Sequence, residues 1–89
     1  VKRDIAILID KSISHFDVIN TIREVSSSIL TNIDLFDIYE GNKIDKNTKS
    51  FAYSLKFQHM DRTLNIKEVD KEIKLILNNL KTKFNAIQR

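Results

Sequence analysis

The sequence predicts an α+β sandwich: a four-stranded antiparallel sheet with two helices on one face. Three observations carry that expectation. Segments 3–10 and 49–59 alternate side-chain character with period two, as strands with one buried face do. The segments from Ser14 to about Leu30 and from Asn65 to about Lys83 repeat apolar residues every three or four positions, which gives each helix one apolar stripe. Two one-sided helices need one apolar sheet face to cover, and a four-stranded sheet supplies it.

The elements follow in order. Arg3-Asp4-Ile5-Ala6-Ile7-Leu8-Ile9-Asp10 forms a first strand with Ile5, Ile7 and Ile9 on one face, and β-branched residues favour that geometry. Residues 11–14 turn, and Ser14 with Asp17 is a capping pair. The first helix carries Val18, Ile22, Val25 and Ile29 on its stripe; Ser26-Ser27-Ser28 near its end is poor helix material and favours an early stop. Ile33 to Glu40 forms the second strand. Gly41, the only glycine, starts a polar loop that runs to Thr48, and it can take positive φ at no steric cost.

Lys49 to His59 forms the third strand. Phe51, Tyr53, Leu55 and Phe57 share one face; Ser50, Ala52, Ser54 and Lys56 share the other. Asn65 followed by Glu68 caps the second helix. Its stripe is Val69, Ile73, Ile76, Leu77, Leu80 and Phe84. Asn85 to Arg89 is a short edge strand. The order β-α-β-β-α-β is the ferredoxin-like split βαβ arrangement, which leaves the second face of the sheet open to water.

Eighty-nine residues make a single domain, 1–89. A domain of this size hides roughly 60–65 % of the surface of its unfolded chain, enough for a modest core. With no cysteine, a disulfide scaffold and a cysteine-ligated zinc site are excluded. No apolar run is long enough for a transmembrane helix. The chain opens on Val1-Lys2-Arg3-Asp4, without the pattern of a signal peptide; the missing initiator methionine suggests a fragment of a larger protein. Residues 1–42 hold four basic and seven acidic side chains, whereas residues 43–89 hold eleven basic and five acidic. An uneven lysine excess suits a polyanionic partner and equally suits a solvated surface.

Signals for catalysis are weak. His15 and His59 stand in no HxH or HExxH pattern, so they read as surface histidines rather than ligands. A single glycine cannot build a GxGxxG or GxxxxGK[ST] phosphate loop. Nothing in the sequence places a serine, a histidine and an aspartate around an oxyanion hole.

The open face is the better candidate. Centring the loop between residues 43 and 44 sets Asp37 opposite Ser50 and Tyr39 opposite Thr48, within about 5.5 Å at Cβ. Asp37, Tyr39, Ser50 and Lys56 then form one polar patch with a single ring. Such sheets bind single-stranded RNA by stacking bases on exposed aromatics and bonding their edges. The same residues also fit a plainer reading, with Tyr39 packed at the sheet edge and Asp37 keeping that edge soluble. A protein-interaction or regulatory domain of the same fold remains the alternative.

The ordered runs Arg3-Asp4-Ile5-Ala6, Leu35-Phe36-Asp37-Ile38-Tyr39-Glu40-Gly41, Lys49-Ser50-Phe51-Ala52, Leu55-Lys56-Phe57-Gln58, Asp61-Arg62-Thr63-Leu64, Glu68-Val69 and a closing Phe84 carry a resemblance. Over essentially its whole length, the chain resembles the ferredoxin-fold anticodon-binding domain at the C-terminus of phenylalanyl-tRNA synthetase beta subunits. The resemblance implies a non-catalytic tRNA-binding module of a cytoplasmic ligase with no cofactor of its own. The parent enzyme would be an α2β2 tetramer that uses ATP and Mg2+, with the catalytic module on the alpha subunit. The implied target is the anticodon loop of phenylalanine tRNA, whose first anticodon base is a guanine. By the same resemblance, Tyr39 stacks on that base, and Asp37 and Ser50 bond near it.

Arg3, Lys43, Lys46, Lys49 and Lys56 are the candidate phosphate contacts. Arg62 reads as a structural partner beside Asp61. Two departures stand out. Asn47 and Thr48 occupy the place where the family often has a glycine, and Asn47 tolerates the left-handed region. Asn65 replaces a frequent threonine cap, and both residue types cap well.

Overall fold

The computed structural model describes residues 1–40 and 46–89. Its elements are β1 (Lys2–Asp10), α1 (His15–Val25), β2 (Leu30–Tyr39), β3 (Thr48–Phe57), α2 (Ile66–Phe84) and β4 (Ile87–Gln88). The sheet has the order β2-β3-β1-β4, and every pairing is antiparallel. This is the ferredoxin-like arrangement expected from the sequence. The loop assignment to Gly41 and the residues up to Asp45 lies outside the described residues.

One face of the sheet supplies the core. Ile5, Ile7 and Ile9 of β1 and Phe51, Tyr53, Leu55 and Phe57 of β3 are buried there, against Val18 and Ile22 of α1 and Val69, Ile76 and Leu80 of α2. Each such aliphatic or aromatic side chain contributes about 1.5–3 kcal/mol by leaving water. Among the described residues, no buried side-chain nitrogen or oxygen lacks a partner.

Helix α1 is shorter than its apolar spacing suggests. It stops at Val25, and Ser26 turns extended with its backbone N–H and Oγ both donating to the Ile22 carbonyl. Ser27 continues the departure: its backbone N–H and Oγ donate to the buried Glu72 carboxylate of α2 at 2.7 and 3.0 Å. Small hydroxyl residues satisfy backbone groups outside a helix. Ile29 is therefore buried from the connection, not from the stripe of α1, and β2 begins at Leu30, three residues earlier than expected.

Helix α2 has strong ends. The Asn65 side chain accepts from the Glu68 backbone, and the Glu68 carboxylate accepts from the Asn65 backbone, closing a capping box. The Arg62 guanidinium also pairs with Glu68, where the sequence had suggested Asp61. That pair and the cap bond hold the Glu68 carboxyl down at about 2. At the other end Asn85 takes φ 59° and closes the helix through bonds to Leu80 and Lys81. Asparagine is among the few residues that enter this region readily.

Candidate nucleic-acid interface

The open face depends on an irregularity in β2. Ile33 pairs with Leu55 and Leu35 with Tyr53, so both turn toward the core. A regular strand would send Asp37 and Tyr39 the same way, because all four positions are odd. Instead the register slips between Leu35 and Asp37, with Phe36 as the extra residue of a β-bulge. Beyond it Ile38 pairs with Phe51, while Asp37 pairs with Ala52 and Tyr39 with Ser50. One additional residue thus exchanges the faces of everything that follows. It puts the carboxylate and the ring on the open side.

The expected cross-strand pairs are corrected accordingly. Tyr39, not Asp37, lies opposite Ser50, and Asp37 lies opposite Ala52. Symmetric placement of the loop had ignored the stronger demand, which is to match the apolar pairs Ile33–Leu55, Leu35–Tyr53 and Ile38–Phe51 across the two strands. The three candidates still share one face. Asp37 is exposed, and Tyr39 keeps 36 % of its surface in water. Ser50 differs from expectation: it is only 3 % exposed.

Ser50 lies between Leu8 and Tyr39 and is touched by Arg89. The Arg89 backbone N–H donates to the Ala6 carbonyl at 2.8 Å, continuing the β1–β4 pairing by one residue. Its side chain crosses β1 to reach β3. Nη1 donates to Ser50 Oγ at 3.3 Å, and the guanidinium carbon lies 5.4 Å from the centre of the Tyr39 ring, within cation–π range. Ring, hydroxyl and guanidinium therefore form one contiguous group, with Asp37 two residues from the ring on the same strand face. Sequence reading placed Arg89 on an edge strand but gave it no role. The available signal was parity: Ile87 lies beside Leu8 in the register, so Arg89 falls on the same open side.

The candidate phosphate contacts do not gather around this group. Arg3 sits on the helix side, opposite Leu55, 3.5 Å from the Asp70 carboxylate of α2. Lys49 shares the core-side parity and rests its Nζ 4.7 Å from the Phe51 ring centre. Lys56 is on the open face opposite Lys2, but six residues along β3 from Ser50, about 20 Å away. Lys46 is exposed in the turn before β3. Lys43 lies outside the described residues. The lysine excess of the second half resides largely on α2, at Lys67, Lys71, Lys74, Lys81 and Lys83.

The histidines have other employment. His15 begins α1 half-buried, with Nδ1 3.1 Å from the Tyr53 hydroxyl and its ring stacked on that tyrosine. It is thus an edge of the core rather than a surface residue. Burial pushes the Tyr53 phenol well above its ordinary value, so the hydroxyl stays protonated. His59 Nδ1 accepts from the Asp61 backbone. Among the described residues, no three His, Cys, Asp or Glu side chains group in a way that could hold a metal, and no helix is long and apolar enough to cross a membrane.

A groove of about 680 Å³ between α2 and β4 is lined by Ile7, Leu77, Leu80 and Ala86, among others, and by none of Asp37, Tyr39, Ser50 or Arg89. The Tyr39 surface is instead a platform. A platform with one ring, one carboxylate and one guanidinium suits a planar polar ligand held by stacking and edge bonds.

Comparison with known proteins agrees with this fold. The family profile of the ferredoxin-fold anticodon binding domain matches residues 1–89. The chain is 42 % identical over 89 residues to the phenylalanine–tRNA ligase beta subunit of Pseudomonas fluorescens, and 41 % over 88 residues to that of Shewanella oneidensis. It is 40 % identical over 87 residues to that of Listeria monocytogenes. These alignments cover 98–100 % of the chain but only 11 % of each relative, so the chain spans about a tenth of the curated relatives it matches. Fold order, open platform and whole-length match lead to one assignment: the chain belongs to the ferredoxin-fold anticodon-binding domain family.

Proposed function

We propose that this domain is the anticodon-binding module of a phenylalanine–tRNA ligase beta subunit and that its open sheet face binds the anticodon loop of phenylalanine tRNA. The observation that carries the reading is the bulge at Phe36, which turns Asp37 and Tyr39 together onto the open face. Tyr39 offers a base a stacking surface, an interaction of about 1–3 kcal/mol. Asp37 accepts hydrogen bonds from the ring N–H and exocyclic amine of a guanine, the only base that presents two adjacent donors on that edge. Ser50, touched by Arg89, supports the platform from beneath with its hydroxyl.

The domain itself does no bond-making. Aminoacyl transfer, ATP and Mg2+ belong to a catalytic module on the alpha subunit of an α2β2 assembly in the cytoplasm, and this domain contributes the choice of tRNA.

The test is made in the full-length ligase. Tyr39→Ala should raise KM for phenylalanine tRNA by roughly tenfold, the equivalent of losing one stacked base. Asp37→Ala should instead reduce the preference for guanine over adenine at the first anticodon position, by about 1–3 kcal/mol of discrimination, as for a good bidentate base contact. Unchanged charging of every tRNA by both variants would sink the reading.

A further inference from the structure

The open face raises an electrostatic difficulty. A nucleotide on Tyr39 brings a phosphodiester with it, yet Asp37 and Asp34 place carboxylates along the same strand. Lys2 and Lys56 pair with each other at the far end of the face. Arg3 and Lys49, which the sequence offered as phosphate contacts, lie on the helix side. Among the described strand residues of this face, the cation at the Tyr39 end is Arg89.

Resting on the reading of Tyr39 as a base platform, we infer that Arg89 binds the phosphate of the nucleotide that stacks there. Three features support it. The Arg89 backbone is pinned to β1 by its bond to Ala6, whereas the residue as a whole is exposed; its base is fixed and its tip can turn. A guanidinium carries five N–H donors, and the bond to Ser50 engages one of its terminal nitrogens. The planar fork matches a phosphate with two parallel bonds, which a lysine cannot do. In the free domain the ring and the serine hydroxyl hold this fork beside the place where the phosphate arrives. Arg89 thereby offsets the repulsion that Asp37 would otherwise exert on the nucleotide it helps to select.

The experiment measures the affinity of the full-length ligase for phenylalanine tRNA between 50 and 200 mM salt, in Arg89→Gln, Arg89→Lys and Tyr39→Ala variants. Arg89→Gln should weaken binding roughly tenfold at low salt, as expected for a lost hydrogen bond to a charged group. It should also flatten the dependence of log Kd on log salt by about 0.7, the contribution of one phosphate on a single strand. The loss should be equal for tRNAs with guanine or adenine at the first anticodon position. Arg89→Lys should restore most of the salt slope, because the charge remains. A loss confined to guanine-bearing tRNA with an unchanged slope would mean a base-edge contact and overturn the inference. Wild-type affinity and slope in both Arg89 variants, with Tyr39→Ala still weakened, would overturn the inference and leave the base platform standing. Wild-type binding by Tyr39→Ala would remove both.

Discussion

The two faces of this sheet are built from the same strands and do opposite things. On the covered face, Ile5, Ile7, Ile9, Phe51, Tyr53, Leu55 and Phe57 interlock with both helices and are almost entirely out of water. Each is one of many, and the fold rests on their sum. On the open face the central positions are small: Ala6 pairs with Ala52, and Ser50 lies between Leu8 and Tyr39. Small side chains leave room for Arg89 to lie across the sheet and reach Tyr39. In the proposed function, recognition there would depend on Asp37, Tyr39, Ser50 and Arg89, with no substitutes. The covered face should therefore tolerate functional tests poorly and the open face stability tests well, and substitutions should separate the two.

The largest effect is expected from the covered face. Leu55 is fully buried between β1 and β2, so Leu55→Ala should destabilise the domain by about 2–5 kcal/mol. Denaturant unfolding of wild type and variant measures it. Tyr39→Ala, on the other face, should leave the unfolding midpoint nearly unchanged. If Tyr39→Ala destabilises as much as Leu55→Ala, the division of labour between the faces is wrong.

A smaller effect should appear at the helix end that braces the covered face. Glu68 is held at about 2 by Arg62 and by its own cap bond, against an ordinary value near 4.5. A lowered folded value means that the carboxylate stabilises the fold fully above the unfolded value and progressively less as pH falls below it. The contribution should be complete above about pH 4.5 and lost by about pH 2. Glu68→Gln should accordingly melt lower than wild type at pH 6, and the gap should close as pH falls toward 2. A gap that stays constant over that range would show that the ion pair contributes nothing. No loss of tRNA affinity should accompany the substitution, because this corner lies on the helix side.

The covered face was legible in the sequence because one rule governs it. Period-two spacing in β1 and β3 and helical spacing in α2 each name their buried residues, and the capping pairs name the starts of both helices. The end of α1 was marked by Ser26-Ser27-Ser28, though Ile29 at helical spacing argued the other way. A bond from Ser27 to Glu72, forty-five residues on in the chain, decided it. The open face was legible only in part. Asp37, Tyr39 and Ser50 share a side, but their pairing follows from β2–β3 register. Register is a property of two strands at once. Arg89 acts through a side chain that crosses β1 to reach β3, and no local pattern encodes such a reach.

The bulge itself gives the smallest and sharpest prediction. In β2 the apolar positions run Ile33, Leu35 and then Ile38, a change of parity that marks the slip. If Phe36 is only an inserted residue that the bulge absorbs, removing it should leave Asp37 and Tyr39 on the open face. With Phe36 deleted, Leu35 still pairs with Tyr53 and Asp37 becomes its direct neighbour opposite Ala52, so Ile38 still meets Phe51 and Tyr39 still meets Ser50. Phe36 is 57 % exposed, so its loss removes little core. The deletion should lower the unfolding midpoint far less than Leu55→Ala and leave tRNA affinity within a few-fold of wild type. A severe loss of affinity with the fold intact would show that the bulge also aims Tyr39 through the extra local twist it brings. The angle of the ring, and not only its face, would then be part of recognition.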